Sequence, residues 1–284
     1  MKVALLTCEE LDQYITDEHF LEKALEKEGF SYKWVNWNDK SVNWNDFDSA
    51  IIRTTWDYMK HKSDFLTQLK KIEDSSCKLY NSLSIVEWNS NKKYLSSLEK
   101  EGVSIIPTKW FVNCSYQDLE ACFVDFDSQK IVIKPNVGAG SFKTFLIHND
   151  KKMMENALEE LKGIEVMVQP YLDMVAEEGE YSLHYFNKSL SHVILKTPKS
   201  GDFRSQEEFG SHIRKVEVTE ELKTFANKVL SKINENLLYA RVDVIRNKEE
   251  LNLIELELIE PSLYFRFHEP AADLLVQAFK DLSN

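Results

Sequence analysis

The chain has 284 residues, 43% of them hydrophobic, with 16 Phe, 11 Tyr and 6 Trp, so it can fill a sizeable core and is not a disordered or low-complexity polypeptide. Its 47 acidic side chains outnumber 35 basic ones for a formal charge of −12, which repels phosphate backbones and anionic lipid, so neither nucleic acid nor a membrane is expected as a partner. Four cysteines with no CxxC pair, no signal-like start and no apolar run near the roughly 18 residues of a membrane span imply a cytoplasmic protein.

The first 90 residues alternate strand and helix signals. Val3–Thr7 reads as a short buried strand; Asp17–Glu28 reads as a helix with Phe20, Leu21, Ala24 and Leu25 on one face and Gly29 as its stop. Tyr32–Trp37 and Ser49–Arg53 read as strands and Ser63–Ile72 as a helix, with the acidic segment from Trp37 to Asp46 as a surface connection. This alternation favours a parallel sheet covered by helices. A helix starting near Asn91 and stopping at Gly102 leads into a strand from Val103 to Trp110. Residues 130–170 give strand, glycine-bearing loop, strand, helix and strand. The pattern then turns antiparallel: Tyr181–Phe186 and Ser191–Leu195 flank the turn Asn187-Lys188-Ser189, and Leu237–Ile245 and Leu251–Ile259 flank Arg246–Glu250. Helices are expected over 219–234 and from Pro270 to Leu282.

Chemistry concentrates in four stretches. In Ala240-Arg241-Val242-Asp243 and Glu255-Leu256-Glu257, residues two apart share a strand face, so pairing of the two strands brings Asp243, Glu255 and Glu257 together beside Arg241. Converging carboxylates repel unless a cation intervenes, and hard oxygen ligands suit magnesium. The ordinary alternative is an acidic, solvent-facing hairpin neutralised by Arg241. Lys134 ends an apolar strand before Gly138-Ala139-Gly140-Ser141, where a lysine and loop amides can hold a phosphate; taken alone, those residues are more often a plain strand-end turn. The apolar strand Glu165–Gln169 runs into Pro170-Tyr171-Leu172 and the acidic Glu177–Glu180, which suits an adenine edge and ribose hydroxyls or an interdomain linker. Lys196, Lys199 and Arg204 give a cationic segment in an otherwise acidic chain, an anion site or a solvated loop.

These four stretches stand in the order of the ATP-grasp superfamily, which the whole chain resembles, nearest to the glutathione-synthetase and ribosomal-protein-S6-modifying-ligase type. Arg53–Tyr58, Asn91–Leu95, Gly201–Gly210 and Glu255–Leu263 also resemble the cyclo-ligases that close O-ureido-D-serine in D-cycloserine biosynthesis. The resemblance implies an α/β fold class with α+β lobes: an N-terminal parallel α/β domain (1–90), a central ATP-grasp lobe (91–170) and a C-terminal lobe with the metal site (171–284). It implies ATP and Mg2+ as cofactors, with Mn2+ as the second choice of metal. Nucleotide contacts fall on Lys92 (Lys93 competing), Lys134, Gly138, Gly140, Ser141, Gln169, Tyr171, Leu172 and Glu178 (Glu177 competing). Arg241, Arg204 and Lys196 take the catalytic positions around the transferred phosphoryl group, Gln206 the substrate side, and Asp243, Glu255 and Glu257 the metal. Two departures stand out: Glu257 where many relatives carry Asn, and Glu260-Pro261-Ser262 in place of the commoner Ser-Pro-Gly ending.

Arg53 and Asp57, just beyond a strand of the first lobe, are expected to clamp a substrate carboxylate and an amino group, with Trp56 and Tyr58 as packing. His184 and His192 are read as structural rather than as a phosphohistidine site. The expected activity is an ATP-dependent carboxylate ligase that makes an acylphosphate of a small amino-acid-like substrate for attack by an amine-type nucleophile. The alternatives are a kinase on the same fold and a nucleotide-binding module without catalysis. A homodimer is compatible with the sequence.

Overall fold

Val3, Leu5 and Ile51 face one way and Ala4, Leu6 and Ile52 the other, and all six are buried, so the N-terminal strands need a cover on both sides. The computed structural model describes residues 1–12 and 14–283. In it β1 (Lys2–Thr7), β2 (Ser31–Asn36), β3 (Ser49–Thr54) and β4 (Lys78–Tyr80) form a parallel sheet in the order β2-β1-β3-β4. One face packs on α1 (His19–Lys27) through Leu21, Ala24 and Leu25, the other on α2 (Lys62–Glu73) through Phe65, Leu69 and Ile72. The segment expected as a surface connection is half core: Trp37 and Trp44 are buried against α2 while the Asn and Asp residues between them stay outside.

α3 (Leu83–Asn89) and α4 (Tyr94–Lys100) lead to a second sheet of β5 (Lys109–Phe111), β6 (Lys130–Pro135), β7 (Phe145–His148) and β8 (Val166–Pro170), ordered β5-β8-β6-β7 with every pairing antiparallel. The strand expected from Val103 to Trp110 is cut in two. Ile105 bridges to Leu253 in another sheet, and only Lys109–Phe111 joins this one, because Pro107 lacks the N–H that a continuous ladder needs. α5 (Tyr116–Asp125), opened by a Ser115–Asp118 capping box, and α6 (Lys151–Glu160) bury Ile131 and Ile133. Strand alternation therefore turns Val132 and Lys134 to the opposite, uncovered face.

After the single turn α7 (Met174–Glu177), the third sheet contains β9 (Glu180–Phe186), β10 (Ser189–Thr197), β11 (His212–Val216), β12 (Tyr239–Asn247) and β13 (Glu250–Glu257), in the antiparallel order β11-β10-β9-β12-β13. Its apolar face, including Leu183, Tyr185, Val193, Val242 and Val244, packs on α8 (Glu220–Leu230) and α4. The first hairpin turns on Asn187 and Lys188 alone, both at positive φ, so β10 begins at Ser189. α9 (Ala271–Ser283) leaves this unit and returns to the first sheet beside α1.

Phe279 on α9 is 1% exposed and meets Phe30 and Tyr80 edge-on, each at 5.4 Å between centroids. Phe279→Ala is expected to cost about 3–5 kcal/mol in urea unfolding, because the hole opens inside the cover of the first sheet. A loss under about 1 kcal/mol would mean that the N-terminal sheet does not depend on the C-terminal helix.

Candidate active site

The polar face of the third sheet carries the charges. β12 and β13 pair Arg241 with Glu257 and Asp243 with Glu255, while β9 sets Ser182 beside Asp243 and His184 beside Arg241. This register depends on a bulge. Leu251, Leu253, Glu255 and Glu257 are all odd-numbered and would share one face of a regular strand, but β13 gains a residue at Ile254. Leu251 and Leu253 thus stay in the core with Leu256 and Leu258, and the two glutamates turn outward to the cleft. Ile254 lines the cleft with them.

Each acid here is tied to a cation. Arg241 donates to Asp243 through Nε (3.0 Å) and Nη2 (2.9 Å) and to Glu257 through Nη2. Lys196 pairs with Glu180 and lies 3.7 Å from Asp243, whose other donor is the Ser182 hydroxyl at 2.5 Å. Lys92 pairs with Glu255 at 2.8 Å and donates to the Gly138 carbonyl at 2.5 Å. Against the effect of burial, Arg241 and Lys196 hold the Asp243 carboxyl down to about 2. Glu257 is pushed up to about 7, foremost by withdrawal from bulk water, with Arg241 opposing and Asp243 and Glu255 adding to the rise. Among the described residues no trio of acid, histidine or cysteine side chains is drawn together at ligating distance. The donor set nonetheless fits a hard divalent cation: three carboxylates on paired strand positions, whose mutual repulsion a cation would relieve.

Across a cleft of about 480 Å³ stands the second sheet. Lys134 projects into it, its ammonium pushed down by burial, and no carboxylate among the described residues pairs with it. Gly138, Gly140 and Ser141 form the rim, and the Ser141 hydroxyl meets Gln206 at 2.8 Å, joining the glycine loop to the loop that carries Arg204. Gln169, Tyr171 and Leu172 line the far end, with the Gln169 amide donating to Thr108 at 3.0 Å. Arg204 is clamped by Asp202 and lies 3.6 Å from the Phe209 ring centroid. Lys92 reaches the cleft and Lys93 does not, being tied to Glu165 on the surface.

Three expected residues lie outside the cleft lining. Arg53 is 0% exposed and already has its carboxylate, donating to Glu18 through Nε (3.0 Å) and Nη2 (2.6 Å) and to the Pro261 carbonyl at 3.3 Å. Asp57 accepts from the Trp37 indole at 2.6 Å. Glu178 is held by Arg246 and by the Tyr181 hydroxyl, and neither it nor Glu177 lines the cleft; Glu180 does, two residues on and on the polar face of β9. Trp56 and Tyr58 line the cleft as well as pack. Sequence reasoning also missed Tyr14, Ser205 and the carboxyl of Glu260. Strand parity from Ser182 and His184 was the available signal for Glu180; nothing local marked Tyr14.

The histidines prove structural. His184 and His192 stack at 4.3 Å and send their Nε2 atoms to the Ser262 and Leu263 carbonyls. They complete a series in which every carbonyl from 258 to 263 meets a side-chain donor: Asn81 on Leu258, Tyr239 on Ile259, Trp56 on Glu260, Arg53 on Pro261, and Arg241 with His184 on Ser262.

A charged cleft between an antiparallel sheet with a glycine loop and a second sheet with clustered acids and an arginine defines a nucleotide-dependent phosphoryl-transfer site. Residues 101–264, more than half of the chain, match the family model described as prokaryotic glutathione synthetase, ATP-grasp domain, and the chain belongs to that ATP-grasp family. It is an ADP-forming ligase that uses ATP with a divalent metal to activate a carboxylate. Residues 3–81 match the N-terminal domain of D-cycloserine synthetase DcsG. The cycloserine biosynthesis protein DcsG of Streptomyces lavendulae is 26% identical over 274 residues, covering 89% of each chain. The crystal structure of D-cycloserine synthetase DcsG superposes with a TM-score of 0.88 at 24% identity over all of both chains. The D-alanine–D-alanine ligase of Bacillus anthracis gives 0.72 at 14%, covering 100% of this chain and 97% of the ligase. No helix among the described residues is long and apolar enough to cross a membrane.

Arg53→Met is expected to cost about 3–5 kcal/mol in urea unfolding, because it strands the buried Glu18 carboxylate. A small stability loss accompanied by a raised substrate KM would instead return Arg53 to a substrate role. Burial, with His268 adding, lowers His192 from 6.5 to about 3. Between those values the unfolded chain binds the extra proton, so this contribution to stability falls as pH drops below 6.5. Glu257 and Glu260, whose carboxyls are raised, act in the opposite sense, so the measurement is the difference between wild type and His192→Gln. That difference should shift against the wild type by about 1.4 kcal/mol per pH unit below 6.5. A flat difference from pH 6.5 to 5.5 would show that His192 carries its proton in the folded state.

Proposed function

We propose that the protein is an ATP- and Mg2+-dependent ligase for a small amino-acid-like carboxylate, with the nucleotide between a central lobe (91–170) and a C-terminal lobe (171–284) and the N-terminal unit (1–90) on the substrate side. The observation that carries this reading is the facing of Lys134 and the glycine loop against Arg241, Lys196, Asp243, Glu255 and Glu257 across one cleft. Lys92 and Lys134 bind the phosphates, and Gln169, Tyr171 and Leu172 bound the adenine. Asp243, Glu255 and Glu257 would hold a Mg2+ ion, which neutralises phosphate oxygens when bound.

Arg241 and Lys196 steady the charge on the phosphoryl group as it passes from ATP to the substrate carboxylate, leaving ADP, and Arg204 and Gln206 stand at the acyl side. The glycine loop meeting the Gln206 loop excludes water, which would otherwise hydrolyse the acylphosphate. A nitrogen then bonds to the acyl carbon, the carbon–oxygen bond to phosphate breaks, and the nitrogen gives up a proton. The likeness to cycloserine-biosynthesis proteins supports O-ureido-D-serine as substrate, with its own oxygen-bound nitrogen closing a five-membered ring. No protein nucleophile is needed.

The test is ADP release from O-ureido-D-serine and a panel of D- and L-amino-acid derivatives, with hydroxylamine as trap. A hydroxamate is expected. A released phosphorylated product without hydroxamate would make the protein a kinase, and nucleotide binding without turnover would make it a binding module. Asp243→Asn and Glu255→Gln should each lower ADP formation at least about 100-fold in protein that remains folded at the assay temperature by circular dichroism. Retained turnover in either variant would remove the metal assignment. Arg241→Ala should lower kcat more than ATP affinity; loss of ATP binding alone would contradict its role.

A further inference from the structure

We propose that Glu260 receives a cationic amino group of the substrate and so sets the specificity of the cleft; the inference rests on the carboxylate-ligase reading and names the second group its substrate must carry. Glu260 is 8% exposed and lines the cleft. Of the other acids lining the cleft, Glu180, Asp243, Glu255, Glu257 and Glu207 each hold a lysine or arginine, and Glu208 is exposed to solvent, which leaves Glu260 as the buried acid without a cation. The Glu260 carboxyl has no hydrogen-bond or ion-pair partner among the described residues, and a buried carboxyl in that position is completed by a donor from the ligand.

Its aim is fixed by the backbone. The Trp56 indole holds its own carbonyl at 2.9 Å, and the flanking carbonyls of Ile259 and Pro261 are held by Tyr239 and Arg53 at 2.8 and 3.3 Å. The side chain therefore points into the cleft from a segment that cannot turn it away. Around it stand aromatic rings: Tyr14 and Trp56 at 4.8 Å between centroids, and Tyr58. Ring faces and a carboxyl together suit an ammonium group. Burial raises the Glu260 carboxyl well above its usual range, with Glu257 adding and Lys92 opposing, and an ammonium at hydrogen-bond distance would favour its charged form.

The cleft is thus polar along its length. Arg241, Lys196 and Arg204 supply cations where a carboxylate is to be phosphorylated, and Glu260 supplies the opposite sign on the N-terminal side, beside Trp56 and Tyr58. A substrate with both groups enters in one orientation. Asp57, the sequence candidate for the amino group, is occupied by Trp37, and Glu260 fills that role.

The experiment compares ADP release by wild type and Glu260→Gln, a substitution that keeps shape and removes charge, using O-ureido-D-serine and its des-amino counterpart. The variant should raise the KM for the amino substrate about 10- to 100-fold, leave the KM values for ATP and Mg2+ unchanged, and erase the preference for the amino over the des-amino acid. Glu260→Asp should recover part of that preference. An unchanged preference, or a rise confined to the ATP or Mg2+ KM, overturns the inference and makes Glu260 part of the nucleotide or metal site. If wild type turns over neither probe, the proposed activity fails. Glu260 is then read from calorimetry of D-serine against D-glycerate at saturating nucleotide. A preference for D-serine lost in the variant supports the inference; equal or absent binding of the two overturns it.

Discussion

The chain must leave the end of β13 and cross to the first sheet through an irregular, buried stretch, and a buried carbonyl without a donor is costly. Six successive carbonyls, Leu258 to Leu263, find theirs in side chains from five places: Asn81 after β4, Arg53 and Trp56 at the end of β3, Tyr239 and Arg241 on β12, His184 on β9 and His192 on β10. This segment ties the first and third sheets together, beside the direct bonds of Asn81 and Tyr239 and the packing of α9. Arg53 reads as a ligand clamp in isolation, and its place here, paired to Glu18 and to the Pro261 carbonyl, gives it a structural task, as the histidine pair has. Each sits where a backbone oxygen needs a donor, and the histidines serve because burial keeps them neutral.

The same segment decides what the cleft presents. The bulge at Ile254 sets the parity that carries Glu255 and Glu257 to the polar face, and the clamped carbonyls continue that presentation to Glu260. A regular strand would have forced a choice between exposing Leu251 and Leu253 and burying both glutamates in the core. One extra residue removes that conflict, and it does so directly opposite Asp243.

Much of this was legible in residue spacing. The hairpin of Arg241, Asp243, Glu255 and Glu257, the strand carrying Lys134 and the glycine loop are local patterns, and most of the cleft follows from them. What escaped was non-local. Arg53 at the end of a parallel strand reads as a ligand clamp because Glu18, 35 residues earlier, gives no sign that it will reach that spot. Glu178 and Glu180 share strand parity and differ in where β9 begins: Glu178 caps the α7 turn, and Glu180 is the first residue of the strand. Trp37 and Trp44 lie in a run of Asn and Asp whose composition says surface, yet their apolar area is worth more in the core than the run's polarity is in water. Pro107 was the one local signal against a continuous strand.

The ion pairs of the cleft bear on how the site accepts its ligands. Burying the ammonium and guanidinium groups of Lys92, Lys196 and Arg241 alone would carry a large desolvation cost, and Glu255, Glu180, Asp243 and Glu257 offset it. On the proposed reading, a polyphosphate bound with a divalent ion would exchange these partners, the cations turning to phosphate oxygens and the acids to the metal. Neither set would then be desolvated afresh. Phosphate alone would strand the acids and the metal alone would strand the cations, so each would raise the affinity for the other. Lys134 and Glu260 stand outside this exchange. Neither has a hydrogen-bond or ion-pair partner among the described residues, and both line the cleft, where a ligand group of opposite charge can meet them.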